Sequence, residues 1–454
     1  MTWLKTLFFT LIALFIAVLL LLKPIAGVSP MSLGAAADVA TGLGAKIACS
    51  GRYITGLDDS QVMADLASYS PAYSLVEVDY DDKQKKAYAN LLGLSPMSAT
   101  FRDGIGCTLD IGDTKTLDAV KVVAIKASEK SWPEGSALND IDADLQTRIE
   151  ELVAEDNTQG YQTRSLLVVK HGKVVSYATQ EGFEQHTPHL GWSMGKSFTA
   201  MMVGNLIYQQ QLALNENQLF EAWQHDERRN IDLESLLQMS SGLDFDETYA
   251  PGSDSTRMLF YTYSASDIAM QSPLIYTPGE HFSYSSGTTN LLSRLVFETL
   301  GGSVQQQMDY LYEQWFEPLN MAQSTFEPDP SGVLVGSSYI YASAPDWAKL
   351  GQVMLNGGEL NGSRFLSEAW VAQAQSANSS KNDPRYGYQF WLNGGGSELR
   401  WHELPEDAYA MSGNRSQIVM IIPSQDMVIV RLGWSAEPYP TSEKLAKVID
   451  LIPN

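Results

Sequence analysis

Four consecutive residues, Ser193-Met194-Gly195-Lys196, carry the strongest chemical signal in the chain. On a helix, side chains three positions apart share a face and can touch. A serine hydroxyl becomes a useful nucleophile only when a base removes its proton. A lysine desolvated at the start of a buried helix loses enough basicity to be that base. The stretch from Ser193 to Gln210 is apolar nearly all round, with Phe198, Met201, Met202, Leu206 and Ile207, and predicts such a helix. Its N-terminus would also offer free N–H groups and a positive dipole end to an oxyanion. S-x-x-K alone is a common string, so it needs further support.

The same stretch, Gly191-Trp192-Ser193-Met194-Gly195, also fits the G-x-S-x-G nucleophile elbow. That elbow needs a buried strand directly before it. Residues 184–190 are polar and interrupted by Pro188, so no strand is expected there, and the late histidines such a triad would use are His281 and His402. A second chemical group lies about ninety residues on, in Tyr276-Thr277-Pro278-Gly279-Glu280-His281-Phe282-Ser283-Tyr284-Ser285-Ser286-Gly287. Pro278-Gly279 reads as a turn. A tyrosine following it, Tyr284, can pass protons between the serine and a leaving group if lysine charge steadies its anion.

The elements that must position these groups are legible in outline. Residues 165–170 and 174–178 are apolar, β-branched runs around a glycine turn and predict a hairpin. Residues 417–423 and 427–432, joined by Ser424-Gln425-Asp426, predict another. Between them the pattern is mostly helical, including residues 288–299, which end at Gly301-Gly302. Strands at both ends with helices between predict an α+β fold, one antiparallel sheet built from both ends of a domain and packed by a helical region.

Read together, S-x-x-K followed by P-G-x-x-F-x-Y-S resembles the family of class C β-lactamases, DD-peptidases and family VIII carboxylesterases. Further stretches carry the likeness: residues 231–243, which end in Ser-Ser-Gly-Leu; residues 341–358, a helix closing on Asn-Gly-Gly; and Tyr386-Gly387-Tyr388-Gln389-Phe390-Trp391. The likeness runs from about residue 160 to 450. The wording of residues 236–245 and 284–290 resembles most the 6-aminohexanoate-dimer hydrolase group. The resemblance implies a β-lactamase/DD-peptidase-like fold, Ser193 as acyl-forming nucleophile, and Lys196 and Tyr284 sharing the proton transfers. It implies an oxyanion hole from the backbone N–H groups of Ser193 and Asn414.

Two positions depart from the family pattern. Its third motif usually carries Lys or His before Thr or Ser and Gly, and here it reads Met411-Ser412-Gly413. Ser286 stands where β-lactamases commonly carry asparagine. Methionine has no charge with which to hold a substrate carboxylate, which weighs against β-lactam and DD-peptide substrates. Arg415 is a candidate for that role, and Trp192, Ser286, Ser412, Gly413 and Trp391 are candidates for substrate contact. Tyr261 and Tyr263 are further aromatic candidates, and residues 244–263, rich in Asp, Ser and Pro-Gly, read as a loop over the site.

The N-terminal third is less informative. Lys5 precedes an apolar run over residues 7–22 closed by Lys23-Pro24, without an A-x-A site directly after it. This reads as an uncleaved membrane anchor or signal segment over residues 1–27, which would export the rest to a periplasmic or other extracytoplasmic face. Residues 28–46 are rich in Gly, Ala and Ser and read as a linker or loose lead-in. Residues 28–135 then form a region of unknown role, ahead of a hydrolase domain over 136–454. The two cysteines, Cys49 and Cys107, suit a disulfide in an oxidising compartment. Lys plus Arg number 30 against 53 Asp plus Glu, a formal charge of −23 that repels phosphate backbones and argues against nucleic acid as a partner. No motif for a metal, nucleotide or other cofactor occurs. The expected activity is hydrolysis of small amides or esters through an acyl-enzyme. The alternatives are a DD-peptidase or β-lactamase, and a non-catalytic binding or sensor protein on the same fold.

Overall fold

The computed structural model describes Trp3 and residues 33–452. The expected membrane segment, residues 7–22, lies outside them. Among the described residues no helix is long and apolar enough to cross a membrane.

The first described helix is α1 (Leu33–Ser50), buried throughout from Thr41 onward. This corrects the linker reading. Small residues there serve close packing: a methyl group on Gly42 would sit 2.1 Å from the Phe260 carbonyl oxygen. Lys46 is buried on this helix and pairs with Glu327, far along the chain; its Nζ also donates to the Cys107 carbonyl at 2.8 Å. A four-stranded antiparallel meander follows, β1 (Val76–Asp81), β2 (Lys86–Leu91), β3 (Leu94–Arg102) and β4 (Gly106–Leu109). Cys49 on α1 and Cys107 on β4 form a disulfide.

The next elements are α2 (Ala143–Thr158) and the hairpin β5 (Thr163–Lys170) and β6 (Lys173–Thr179). Then come β7 (His189–Leu190), α3 (Met194–Tyr208), α4 (Ser286–Thr299), β8 (Ser324–Phe326), β9 (Ile340–Ala342) and α5 (Ala344–Leu355). The chain closes with β10 (Trp391–Leu392), β11 (Tyr409–Gly413), β12 (Gln417–Ile422), β13 (Met427–Gly433) and α6 (Thr441–Asp450).

The six-stranded sheet has the order β10-β11-β12-β13-β5-β6. Both expected hairpins are present, and Met427 pairs with Lys170 where the last strand meets the first. The fold is therefore the α+β arrangement expected, one antiparallel sheet closed by both ends of the domain. Side chains alternate between faces along a strand, so each strand feeds two cores. Val168, Met420, Ile422 and Ile429 pack against Leu145, Ile149 and Val153 of α2 and Leu445 and Val448 of α6. On the other face Leu167, Val169, Val419 and Val428 join the larger core, which holds α3, α5 and also Leu43, Ile47 and Cys49 of α1. Residues before and after position 135 thus share apolar packing.

Candidate active site

Ser193 occupies the position just before α3, and Trp192 ahead of it adopts φ 47°. A left-handed bulky residue is strained, and it is held here by packing around the nucleophile turn. Two antiparallel residues, β7, do precede the turn and pair with β9, contrary to the expectation of no strand. They lie at the edge of a three-stranded sheet, not in a parallel sheet, and His281 stacks on Tyr276. The elbow reading does not gain from them.

Lys196 lies one turn into α3 and is almost fully buried. Its Nζ is 3.1 Å from Ser193 Oγ, 2.9 Å from Ser286 Oγ and 3.2 Å from the Ser337 carbonyl oxygen. Burial pulls this lysine down to about 8, against the opposing pull of the Glu247 carboxylate. A substantial neutral fraction therefore exists in mildly alkaline solution.

Tyr284 is half-buried beside it, with Lys196 Nζ 4.9 Å from the ring centroid. Burial, with Tyr386, Tyr249 and Glu247 nearby, pushes its hydroxyl well above the ordinary tyrosine value, while a hydrogen bond with Ser193 pulls the other way. It is a proton donor at neutral pH. The Ser283 N–H donates to the Met239 carbonyl at 2.8 Å, tying this segment to the Ser-Ser-Gly-Leu stretch. Trp391 stacks on Tyr284 with ring centroids 5.1 Å apart. Trp391 is in turn positioned through buried Gln389, whose carbonyl accepts from Ser197 Oγ at 2.6 Å and whose side chain joins Thr289 and the Leu236 and Leu237 carbonyls.

The end of β11 runs along the nucleophile turn. A methyl group built on Gly413 would lie 2.1 Å from the Gly191 carbonyl oxygen and 3.2 Å from Ser193 N. No acceptor among the described residues takes the Ser193 N–H. Ser412 and Asn414 flank Gly413 on this edge, and Asn414 is exposed. Met411 is buried, so this stretch of strand presents no cation.

Other candidates are placed elsewhere. Arg415 is 8% exposed, its guanidinium lies 3.7 Å from the Tyr69 ring centroid, and its Nη1 donates to the Ser435 carbonyl. These contacts place it at the junction with the N-terminal part. Trp192 is likewise core, packed among Tyr69, Tyr339 and Trp434. Tyr263 donates to the Asp113 carbonyl, and Tyr261 has Arg257 and Asp38 as charged neighbours.

Three neighbours were not anticipated. Ser337 offers its carbonyl to Lys196, and Asn290 holds that loop through hydrogen bonds to Ser337 N and Oγ. Glu247 accepts from Ser286 N at 2.7 Å and from Ser286 Oγ at 2.6 Å. Its segment was expected to form a loop near the site, but an acidic loop has many carboxylates and nothing in the pattern singles one out.

The Beta-lactamase family model matches residues 145–452. The 6-aminohexanoate-dimer hydrolase of Paenarthrobacter ureafaciens is 24% identical over 311 residues, covering 65% of this chain and 76% of that protein. A family VIII carboxylesterase structure aligns with a TM-score of 0.55 at 13% identity, over 69% of this chain and 99% of the other. A penicillin-binding protein homolog from Caulobacter crescentus aligns with a TM-score of 0.54 at 16% identity, over 68% and 98%. At these identities the structural likeness establishes the fold.

Proposed function

The chain belongs to the beta-lactamase family, and from that premise we propose that it is a serine hydrolase of small amides or esters working through an acyl-enzyme on Ser193. The observation that carries this reading is the 3.1 Å approach of a buried, weakened Lys196 base to the Ser193 hydroxyl. Neutral Lys196 takes the Ser193 proton as Oγ attacks the substrate carbonyl. The N–H groups of Ser193 and Asn414 receive the oxyanion. Tyr284, protonated and beside Ser193, delivers a proton to the leaving group and is recharged through Lys196. Water then attacks the acyl-enzyme with the same groups in reverse.

The end of β11 supports esters and uncharged amides over carboxylate-bearing β-lactams. Met411 is apolar and Arg415 is engaged with Tyr69 and Ser435, so neither offers a cation to such a substrate. The disulfide Cys49–Cys107 supports an exported location, where such a bond persists. On this reading residues 7–22 tether the protein to the inner membrane, facing the periplasm.

Intact-mass measurement after a fluorophosphonate probe, and separately after penicillin, tests the proposal on wild type and Ser193→Ala. One probe adduct on wild type and none on the variant is expected, with no penicillin adduct. Equal labelling of both proteins would overturn Ser193 as nucleophile. A stable penicillin adduct would move the substrate class to β-lactams.

A further inference from the structure

The acyl-transfer reading assigns Lys196 the role of base, but a buried lysine with several polar neighbours can direct its lone pair at any of them. A neutral amine has two N–H groups and one lone pair. Lys196 Nζ has three partners: Ser193 Oγ, Ser286 Oγ and the Ser337 carbonyl. The carbonyl can only accept. Catalysis requires that Ser286 also accept, so that both N–H groups are used and the lone pair faces Ser193. A serine hydroxyl can donate as well, and a Ser286 proton aimed at Lys196 would occupy the lone pair that the reaction needs.

Glu247 removes that ambiguity. Its Oε1 takes the Ser286 hydroxyl proton at 2.6 Å and its Oε2 takes the Ser286 N–H at 2.7 Å. An ionised carboxylate is acceptor-only, so the Ser286 proton points to Glu247 and the oxygen lone pairs are left for Lys196. The carboxylate also sits at the first residue of α4, where the helix dipole favours negative charge. The loop that carries it is itself held: Asp246 Oδ1 accepts from Thr248 N and Oγ1, Asp246 N donates to Asp254, and Ser255 Oγ donates to the Thr248 carbonyl. Tyr249, two residues on, adds a hydrogen bond to Glu247 at 3.3 Å.

We propose that Glu247 is a positioning residue for acyl transfer: through the Ser286 hydroxyl it fixes the direction of the hydrogen-bond chain and so turns the Lys196 lone pair onto Ser193. The proposal rests on the serine-hydrolase reading. When Ser193 gives its proton to Lys196, the resulting ammonium donates to Ser193, Ser286 and Ser337 together, and the Glu247 charge steadies it. The charged or titratable groups around Lys196 are Glu247 and Tyr284, with Tyr249 and Tyr386 beyond them.

The test is the rate of fluorophosphonate labelling from pH 5 to 10 for wild type, Glu247→Gln, Ser286→Ala and the double variant, with circular dichroism to verify the fold. Glu247→Gln is expected to label about tenfold more slowly than wild type at its optimum. Its ascending pH limb should lie about one unit lower, because the charge that raises Lys196 is gone. In the Ser286→Ala background the same substitution should cost little in rate, since the hydroxyl it orients is absent. Equal rate losses in both backgrounds, or a Glu247→Gln rate and limb identical to wild type, would overturn the proposal. A wild type that takes no label would overturn the serine-hydrolase reading and this proposal with it; a labelled wild type with an unaffected Glu247→Gln would sink this one alone. A variant too unstable to measure is replaced by Glu247→Asp, which keeps the charge and is expected to keep the wild-type limb; a one-unit downward shift in Glu247→Asp would overturn the proposal too.

Discussion

Gly413 approaches Gly191 so closely that a Cβ on the former would stand 2.1 Å from the carbonyl oxygen of the latter. That contact sets the gap between the β11 edge and the turn carrying Ser193, the gap in which a substrate carbonyl would bind. Gly413→Ala must push the strand and the turn apart. The cost in stability should be about 1–3 kcal/mol, the range for overpacking a tight site. The cost in labelling should be larger, about a hundredfold, because an oxyanion donor displaced by part of an ångström loses most of its effect. Urea unfolding beside fluorophosphonate kinetics separates the two; loss of stability with full labelling would show that the gap does not govern the chemistry.

The state of Lys196 predicts the pH profile. Burial lowers this lysine to about 8, and only its neutral form has a lone pair for the Ser193 proton. Labelling should therefore rise with pH through a midpoint near 8 and fall away below it as the amine is protonated. Tyr284, held well above its ordinary value, remains protonated across that range and adds no limb of its own there. Lys196→Arg keeps a cation that does not deprotonate. It should label at least about a hundredfold more slowly, without the ascending limb. A profile flat from pH 6 to 9 in wild type would remove Lys196 from the role of base.

The parts legible in sequence were those whose pattern is local. The S-x-x-K helix and both hairpins are written in periodicity and turn residues over a dozen positions, and the structure has them where expected. Tyr284 and Trp391 lie in separate strings that only the fold brings together, and their recognition depended on family wording. What lies beyond local pattern has physical causes. Arg415 follows a motif that lines the site, but a reversal in the chain, with φ 61° at Arg415 and 62° at Ser416, accompanies a side chain turned toward Tyr69. Glu247 acts through one hydroxyl 39 positions away, a relation no periodicity records. Residues 28–46 read as a linker because Gly and Ala suit both flexible chain and close helix packing, and partners such as Phe260 and Glu327 lie hundreds of residues downstream.

The same helix yields a last prediction. Lys46 and Glu327 are both buried, and around them Ser50 Oγ and Cys107 N also donate to the carboxylate. Two charges taken out of water together are tolerable only while both remain. Lys46→Met leaves Glu327 buried without its cation and should destabilise the fold by about 3–5 kcal/mol, as breaking one side of such a pair does. Replacing both, Lys46→Met with Glu327→Leu, removes the orphaned charge and should recover part of that loss: the Cys107 N–H loses its acceptor at about 1–3 kcal/mol, while the Ser50 hydroxyl, on a helix, can turn to the carbonyl four residues back. The double variant should therefore fall between wild type and Lys46→Met in urea midpoint, with Ser193 labelling per folded molecule unchanged. A double variant less stable than the single one would mean that the carboxylate's hydrogen bonds, and not its pairing with Lys46, hold the helix to the catalytic core.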